Sequence, residues 1–180
     1  MPNWCANRVT VSGEVEYVEA FKEAVKGHRE VDDASDKFLK LFSFDAIIPM
    51  PDELHGIGSP VTIVHTDEEI EEYKKKHSDS EWCMGNLPIT CKRSEELKNK
   101  YGSDNWYDWC NDNWTSKWDA CDVYIDVDEP GYLQYRFDTP WGPPENIYYV
   151  LTAQHPNVHI SWFYDEPGMQ FAGYLNKDEQ

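Results

Sequence analysis

Four of the chain's eight tryptophans fall in one stretch, Trp106-Tyr-Asp-Trp-Cys-Asn-Asp-Asn-Trp-Thr-Ser-Lys-Trp-Asp-Ala-Cys-Asp122. Trp106 and Trp109 are three residues apart and Trp114 and Trp118 four apart, so each pair can share a helix face. Asn111-Asp-Asn113 supplies a break between the pairs. Rings gathered in this way do one of two things. They plug the open end of a core, each burying on the order of 200 Å², or they form a cleft on which a base, a sugar or a peptide aromatic stacks. The plug is the favoured reading, and the cleft stays as its alternative.

Asp122, Tyr124, Asp126 and Asp128 alternate with Val123, Ile125 and Val127, which puts the carboxylates on one face of a strand. Carboxylates two residues apart could share Mg²⁺ or Ca²⁺, which prefer oxygen ligands; a solvated acidic face without an ion is the expected state. The loop Thr139-Pro-Trp-Gly-Pro-Pro144 presents Trp141, with Trp4 beside it, at a strand-to-helix junction whose free N–H groups could hold an anion. A zinc site from His77, Cys83 and Cys91 lacks the paired spacing that structural zinc favours. The five cysteines include no Cys-x-x-Cys and read as reduced thiols. No histidine sits in a recognised catalytic or metal motif, and no glycine-rich phosphate loop is present. No catalytic residue, metal or cofactor is therefore assigned.

These groups need a scaffold. Residues 3–12 read as a strand, followed by a helix over 14–26 with Ser12 as cap and Gly27 at the stop. Phe42, Phe44 and Ala46 alternate with Ser43 and Asp45, which predicts a strand over 38–48 and, with the first two elements, a βαβ unit. Later come strands over 123–127 and 132–137, joined through a type II turn at Asp128-Glu-Pro-Gly131. A helix starts at Pro143-Pro144 and ends before Pro156. A strand carries Val158, Ile160, Trp162 and Tyr164. The turn Asp165-Glu-Pro-Gly168 repeats the first tetrapeptide, and a final strand spans 169–175. Residues 49–120 read as an insertion with helices over 67–77 and 94–100 and the tryptophan cluster.

The order β-α-β, insertion, β-β-α-β-β predicts an α+β protein. The expected architecture is a single ferredoxin-like α/β sandwich over residues 1–180, a mostly antiparallel sheet with two helices on one face and a helical, Trp-rich insertion.

Charge narrows the partners. The net charge is −18, made up of −7 over residues 1–100 and −11 over 101–180. Such a surface repels phosphate backbones and anionic membranes and favours basic proteins. Ferredoxin-like RNA binders place rings and basic groups on the open sheet face. Tyr124, Tyr132 and Trp162 could supply the rings, but the overall charge has the wrong sign. The chain lacks a signal-type segment and a bilayer-length apolar run, so a cytoplasmic protein is expected.

Six stretches carry a resemblance: Met1-Pro-Asn-Trp-Cys-Ala-Asn-Arg8, Phe44-Asp-Ala-Ile-Ile-Pro-Met-Pro51, Asn105-Trp-Tyr-Asp-Trp-Cys110, Trp114-Thr-Ser-Lys-Trp-Asp119, Phe137-Asp-Thr-Pro-Trp-Gly-Pro-Pro144 and Tyr164-Asp-Glu-Pro-Gly-Met-Gln-Phe-Ala-Gly173. Together they resemble the YubB-like (Api-type) proteins of bacteriophages and conjugative plasmids, which have a ferredoxin-like domain. The sequence departs from that pattern at Thr115, where Gly is expected, and at Pro140, where a small residue is usual. The resemblance implies the fold and a mobile-element origin, and no catalytic residues.

The function expected on these grounds is that of an acidic interaction module binding a basic host or mobile-element protein, with rows of carboxylates imitating nucleic-acid phosphates. A small-molecule or nucleotide binder using the tryptophan cleft is the alternative.

Overall fold

A computed structural model of the chain describes residues 2–28, 39–76 and 86–176. It separates into two compact units, residues 1–49 with 113–180, and residues 50–112.

The first unit is built on β1 (Trp4–Gly13) and α1 (Val15–Ala24), followed by the two-residue strands β2 (Gly27–His28) and β3 (Leu39–Lys40) and the short helix α2 (Phe44–Ile47). The elements of the second unit take the next labels, up to α5. The first unit resumes with β6 (Cys121–Glu129), β7 (Tyr132–Pro140), α6 (Glu145–Gln154), β8 (Val158–Glu166) and β9 (Phe171–Tyr174). Five of these strands form one sheet in the order β6-β7-β1-β8-β9, with every neighbouring pair antiparallel. This is the ferredoxin-like arrangement with β9 added at one edge, and the expected α+β class holds.

Strand alternation decides which face is covered. Val9, Val11, Leu133, Tyr135, Phe137, Ile160 and Trp162 point to one face and are buried, as are Val18 and Phe21 of α1 and Ile147 and Leu151 of α6. Phe21 meets the His155 ring edge-on at 5.0 Å, and Tyr148 meets Trp162 at 6.2 Å, so both helices lie over that face. Trp162 belongs to this core, fully buried with its indole N–H donated to Asn7 Oδ1 at 3.0 Å. It does not supply a ring to the open face.

The strand expected over 38–48 does not form. Its first residue lies outside the described residues, Leu39–Lys40 pairs only with β2, and Phe44–Ile47 turns helical. Phe42 and Phe44 are buried as the alternation required, Phe42 stacking on Phe137 at 5.0 Å. Ala46 is exposed and Ile47 buried, which is a helical pattern. Asp119 accounts for the switch. Its carboxylate accepts the Phe44 N–H at 2.6 Å, the Ser43 hydroxyl at 2.7 Å and the Lys40 ammonium at 2.7 Å, holding donors at a helix start that Ser43's own side chain does not cap. In the main sheet β1 is flanked by β7 and β8 while β3 lies in a separate pair with β2, so among the described residues β1, α1 and residues 39–48 do not form the expected βαβ unit.

Smaller corrections follow from local geometry. Glu14, not Ser12, is the N-cap residue of α1, and Gly27 begins β2 instead of stopping the helix. A Cβ on Gly27 would stand 2.4 Å from Ser43 Cβ, so that close approach requires glycine. The two Asp-Glu-Pro-Gly turns differ. Gly131 has φ +76°, as a type II turn needs, whereas at the second turn the left-handed residue is Gln170 (φ +60°) and β9 begins only at Phe171. Glu166 causes the difference: it is fully buried, and its Oε2 accepts the Met169 N–H, which binds the loop over itself.

The second unit has a 3-10 turn (Asp52–Leu54), a parallel pair of two-residue strands, β4 (Ile63–Val64) and β5 (Ile89–Thr90), and helices α3 (Asp67–Lys76), α4 (Cys91–Tyr101) and α5 (Trp106–Trp114), the last two residues of which belong to the first unit. Leu54, Ile57, Leu97, Trp109 and Cys110 are buried in it. Thr90 caps α4 through its side chain, and Gly102, at φ +80°, ends it. Glu53 collects Arg93 and Lys100, each at 2.6 Å, and the Tyr101 hydroxyl.

Candidate functional site

The tryptophans of the cluster separate by exposure. Helix α5 runs unbroken through Asn111-Asp-Asn113, and the chain breaks after Trp114, where Thr115 takes φ +56°. This is the position where a glycine was expected, and it needs the left-handed backbone that glycine adopts freely. Trp109 and Trp114 are buried. Trp114 packs edge-on against Phe44 at 6.0 Å and donates its indole N–H to Ile48 O at 2.9 Å. Neither ring offers a face to a ligand. Trp106 and Trp118 are half-buried, and Trp141 is exposed. Trp118 lies 6.2 Å from the exposed Trp4, with the Lys117 ammonium 4.4 Å from the Trp118 ring centroid.

The junction after β7 is stiffened from two sides. Trp141 adopts φ +72° with its N–H bonded to Asn3 O at 2.9 Å, and the Thr139 hydroxyl donates to Gly142 O at 2.8 Å. The start of α6, read as a possible anion holder, has an internal acceptor: the Asn146 N–H donates to Thr115 Oγ1 at 3.2 Å.

Asp122, Tyr124, Asp126 and Asp128 are exposed and Val123, Ile125 and Val127 half-buried, but the four do not form one row: β6 shifts register between Cys121 and Tyr124 and again between Ile125 and Val127, which pairs Asp128 with Leu133 on the helix-covered side. Their charges are not all free. Asp126 holds the guanidinium of Arg136, including an Nη2 contact at 2.8 Å, and Asp128 holds Lys22. Asp122 forms no ion pair among the described residues. Nor do any three His, Cys, Asp or Glu side chains gather closely enough there to hold a metal ion. The reading in which carboxylates of this strand share a divalent ion thus lacks a donor set among the described residues. His77 and Cys83 of the zinc reading lie outside the described residues, while Cys91 is an exposed free thiol.

The helix-free face of the sheet collects residues that the sequence reading did not join. Strand register places Tyr124, Arg136, Arg8, Phe163 and Tyr174 in one row across all five strands. Arg8 lies over the Phe163 ring at 5.1 Å, and Phe163 meets Tyr174 edge-on at 5.2 Å. In the next row Ala6 pairs with Asp138 on one side and Asp165 on the other. Where Asp122, Tyr124, Arg136 and Asp138 meet above Ala6 there is an open cavity of about 250 Å³.

A β-bulge shapes that cavity. Cys121 pairs with Asp138 and Tyr124 with Arg136, so β6 spends one residue more than β7 between the two pairs. Asp122, at the extra position, takes φ +49°. Asp138 also lacks an ion-pair partner among the described residues. Burial, and then the charge of Asp122, push its carboxyl above the usual range. Asp138, Asp165, Arg8 and Arg136 were missed although alternation along their strands carried the signal.

Comparison with known proteins agrees with this architecture. Residues 113–180 match the family model described as the ferredoxin-like domain in Api92-like protein. Among solved structures, protein api92 from Yersinia pseudotuberculosis is similar, with a TM-score of 0.52 and 14% sequence identity over 97% of this chain and 93% of that chain. At that identity the likeness establishes the fold alone. No curated protein sequence matches the chain.

Proposed function

We propose that this chain is a phage- or plasmid-type accessory protein that works in the cytoplasm by binding, docking a protein partner with a basic surface on the helix-free face of its sheet. The observation that carries the reading is the set of unpaired carboxylates there: Asp122, Asp138 and Asp165 form no ion pair among the described residues, in a chain of net charge −18. Exposed Tyr124, Tyr132 and Tyr174 add apolar area on the same face, and aromatic residues are enriched at protein interfaces. Imitation of a phosphate run is the weaker form of this reading. Asp126 and Asp128 are neutralised by Arg136 and Lys22, so β6 does not present an even series of free charges.

The test uses the wild-type chain and a variant carrying Asp122→Asn, Asp138→Asn and Asp165→Asn as baits in host lysate, followed by reconstitution with the purified partner. Support is a basic partner held by the wild type, released by salt, lost by the triple variant, and kept by a Glu16→Gln, Glu19→Gln control on α1. A partner indifferent to both salt and the triple change refutes the reading.

A second reading has its own observation, the exposed indole of Trp4 beside half-buried Trp118 with its lysine, and the exposed Trp141, whose N–H bonds Asn3 O next to Trp4 in the chain. It makes this corner a stacking platform for a small aromatic ligand or nucleotide. Tryptophan fluorescence titrated with nucleotides and aromatic metabolites tests it, and a flat response across the panel removes it.

A further inference from the structure

We propose that the cavity between Asp122, Tyr124 and Asp138 seats one arginine side chain of the docked partner. This deepens the docking reading and rests on it. The cavity's size points to a side chain. At about 250 Å³ it lies below the roughly 300–1,000 Å³ typical of small-molecule sites.

Charge fixes the sign of the occupant. Two carboxylates reach the cavity with no cation of their own among the described residues, and the guanidinium that also lines it, Arg136, is already engaged by Asp126. An anion would meet Asp122 and Asp138 together. A metal ion would find two carboxylates where Ca²⁺ takes about six to eight oxygen ligands.

Shape and aromatic surface select guanidinium over ammonium. Tyr124 is 60% exposed, which leaves ring surface available at the cavity. A guanidinium is planar, stacks on rings, and offers a fork of donors that matches carboxylate oxygens. The same face already holds two arginines in these ways. Arg8 stacks over Phe163 at 5.1 Å, and Arg136 is gripped by Asp126 at the register position opposite Tyr124. A third guanidinium, supplied by the partner, would repeat that chemistry between Asp122 and Asp138, with Ala6 too small to obstruct it.

The probe is a capped five-residue peptide with one central arginine and glycine elsewhere, with lysine and citrulline versions as comparisons. It is titrated into the full ¹⁵N-labelled chain while amide shifts are followed. The expected result is saturable shifts confined to residues 6–7, 121–125 and 136–139. Affinity should fall about tenfold or more with neutral citrulline, as loss of charge-assisted hydrogen bonds implies, and lysine should fall between. Asp122→Asn with Asp138→Asn abolishes the shifts while the rest of the spectrum stays folded, and Tyr124→Leu weakens them. Shifts spread over the acidic surface, equal response to lysine and arginine, or binding that survives the double variant overturns the proposal.

The two readings fail separately. A purified partner held by the wild type and by the Asp122→Asn, Asp138→Asn protein alike, but lost on Asp165→Asn, keeps docking and discards the arginine seat. Confined peptide shifts with no partner lost by the triple variant keep the seat and discard the docking.

Discussion

Replacement of Asp119 by alanine tests the contact on which the corrected fold of residues 39–48 depends. Its carboxylate accepts from the Phe44 N–H, the Ser43 hydroxyl, the Lys40 ammonium and the Ala120 N–H. Phe44 is fully buried, so its N–H would be left without an acceptor in a dry environment, a loss of about 1–3 kcal/mol. The Lys40 pair is partly solvated, with side-chain exposures of 31% and 16%, and adds at most about 1 kcal/mol. The expected destabilisation is about 1–4 kcal/mol, or about 2–16 °C in Tm for a chain of this length. Urea and thermal unfolding followed by far-UV circular dichroism measure it. Asp119→Asn keeps an oxygen for the Phe44 N–H and should lose about half as much. An alanine variant within about 0.5 kcal/mol of wild type, the usual range for an uninvolved surface change, would refute the claim that Asp119 holds α2. So would an asparagine variant as damaged as the alanine one.

Three further outcomes follow from named contacts. Trp114→Ala should cost about 3–5 kcal/mol by urea unfolding, whereas Trp141→Ala, at an exposed ring, should stay within about 0.5 kcal/mol. Glu53 is depressed from 4.5 to about 2 by its hydrogen bonds to Lys100, Tyr101 and Arg93, so its stabilisation is full above 4.5 and is lost as pH falls toward 2. Glu53→Gln should therefore lower the urea midpoint at neutral pH and converge with wild type across that acid window. Asp138 carries the opposite sign. Its raised folded pKa makes its charge a cost that is full above that pKa and is relieved as pH falls toward the unfolded value of 3.8, so Asp138→Asn should raise the midpoint at neutral pH and lose that advantage in acid.

The elements legible in the sequence are those whose signals are local. The alternation of β1, β6, β7 and β8, the proline start of α6 and the Pro-Gly hairpin at 130–131 each depend on residues within a few positions of one another. Residues 42–46 alternated as convincingly, yet their conformation is set by Asp119, 75 residues away from Phe44, and no window around Phe44 contains that partner. The identical Asp-Glu-Pro-Gly turns diverge for a related reason, since buried Glu166 takes a loop N–H in one and Asp128 takes Lys22 from α1 in the other. The candidate site was half visible. Alternation placed Asp122 and Tyr124 on the outer face, but cross-strand register was needed to bring Asp138 and Arg136 to them, and a one-residue bulge has no signature in composition.

Register also resolves the tension between a chain of net charge −18 and a sheet face with two arginines in adjacent positions. Like charges directly opposite across an antiparallel pair are unfavourable, and Arg8 and Arg136 are so placed. Arg136 is neutralised by Asp126, whereas Arg8 keeps its charge and rests over the Phe163 ring. The carboxylates of this face that form no ion pair among the described residues, Asp122, Asp138 and Asp165, sit beside that row. The long-range field of the acidic chain is screened within about 8–10 Å at physiological salt, so it can speed the approach of a basic partner but cannot fix its register. Under the docking proposal, the carboxylates beside exposed Tyr124 would act at contact distance, which is the range at which one partner side chain is distinguished from another.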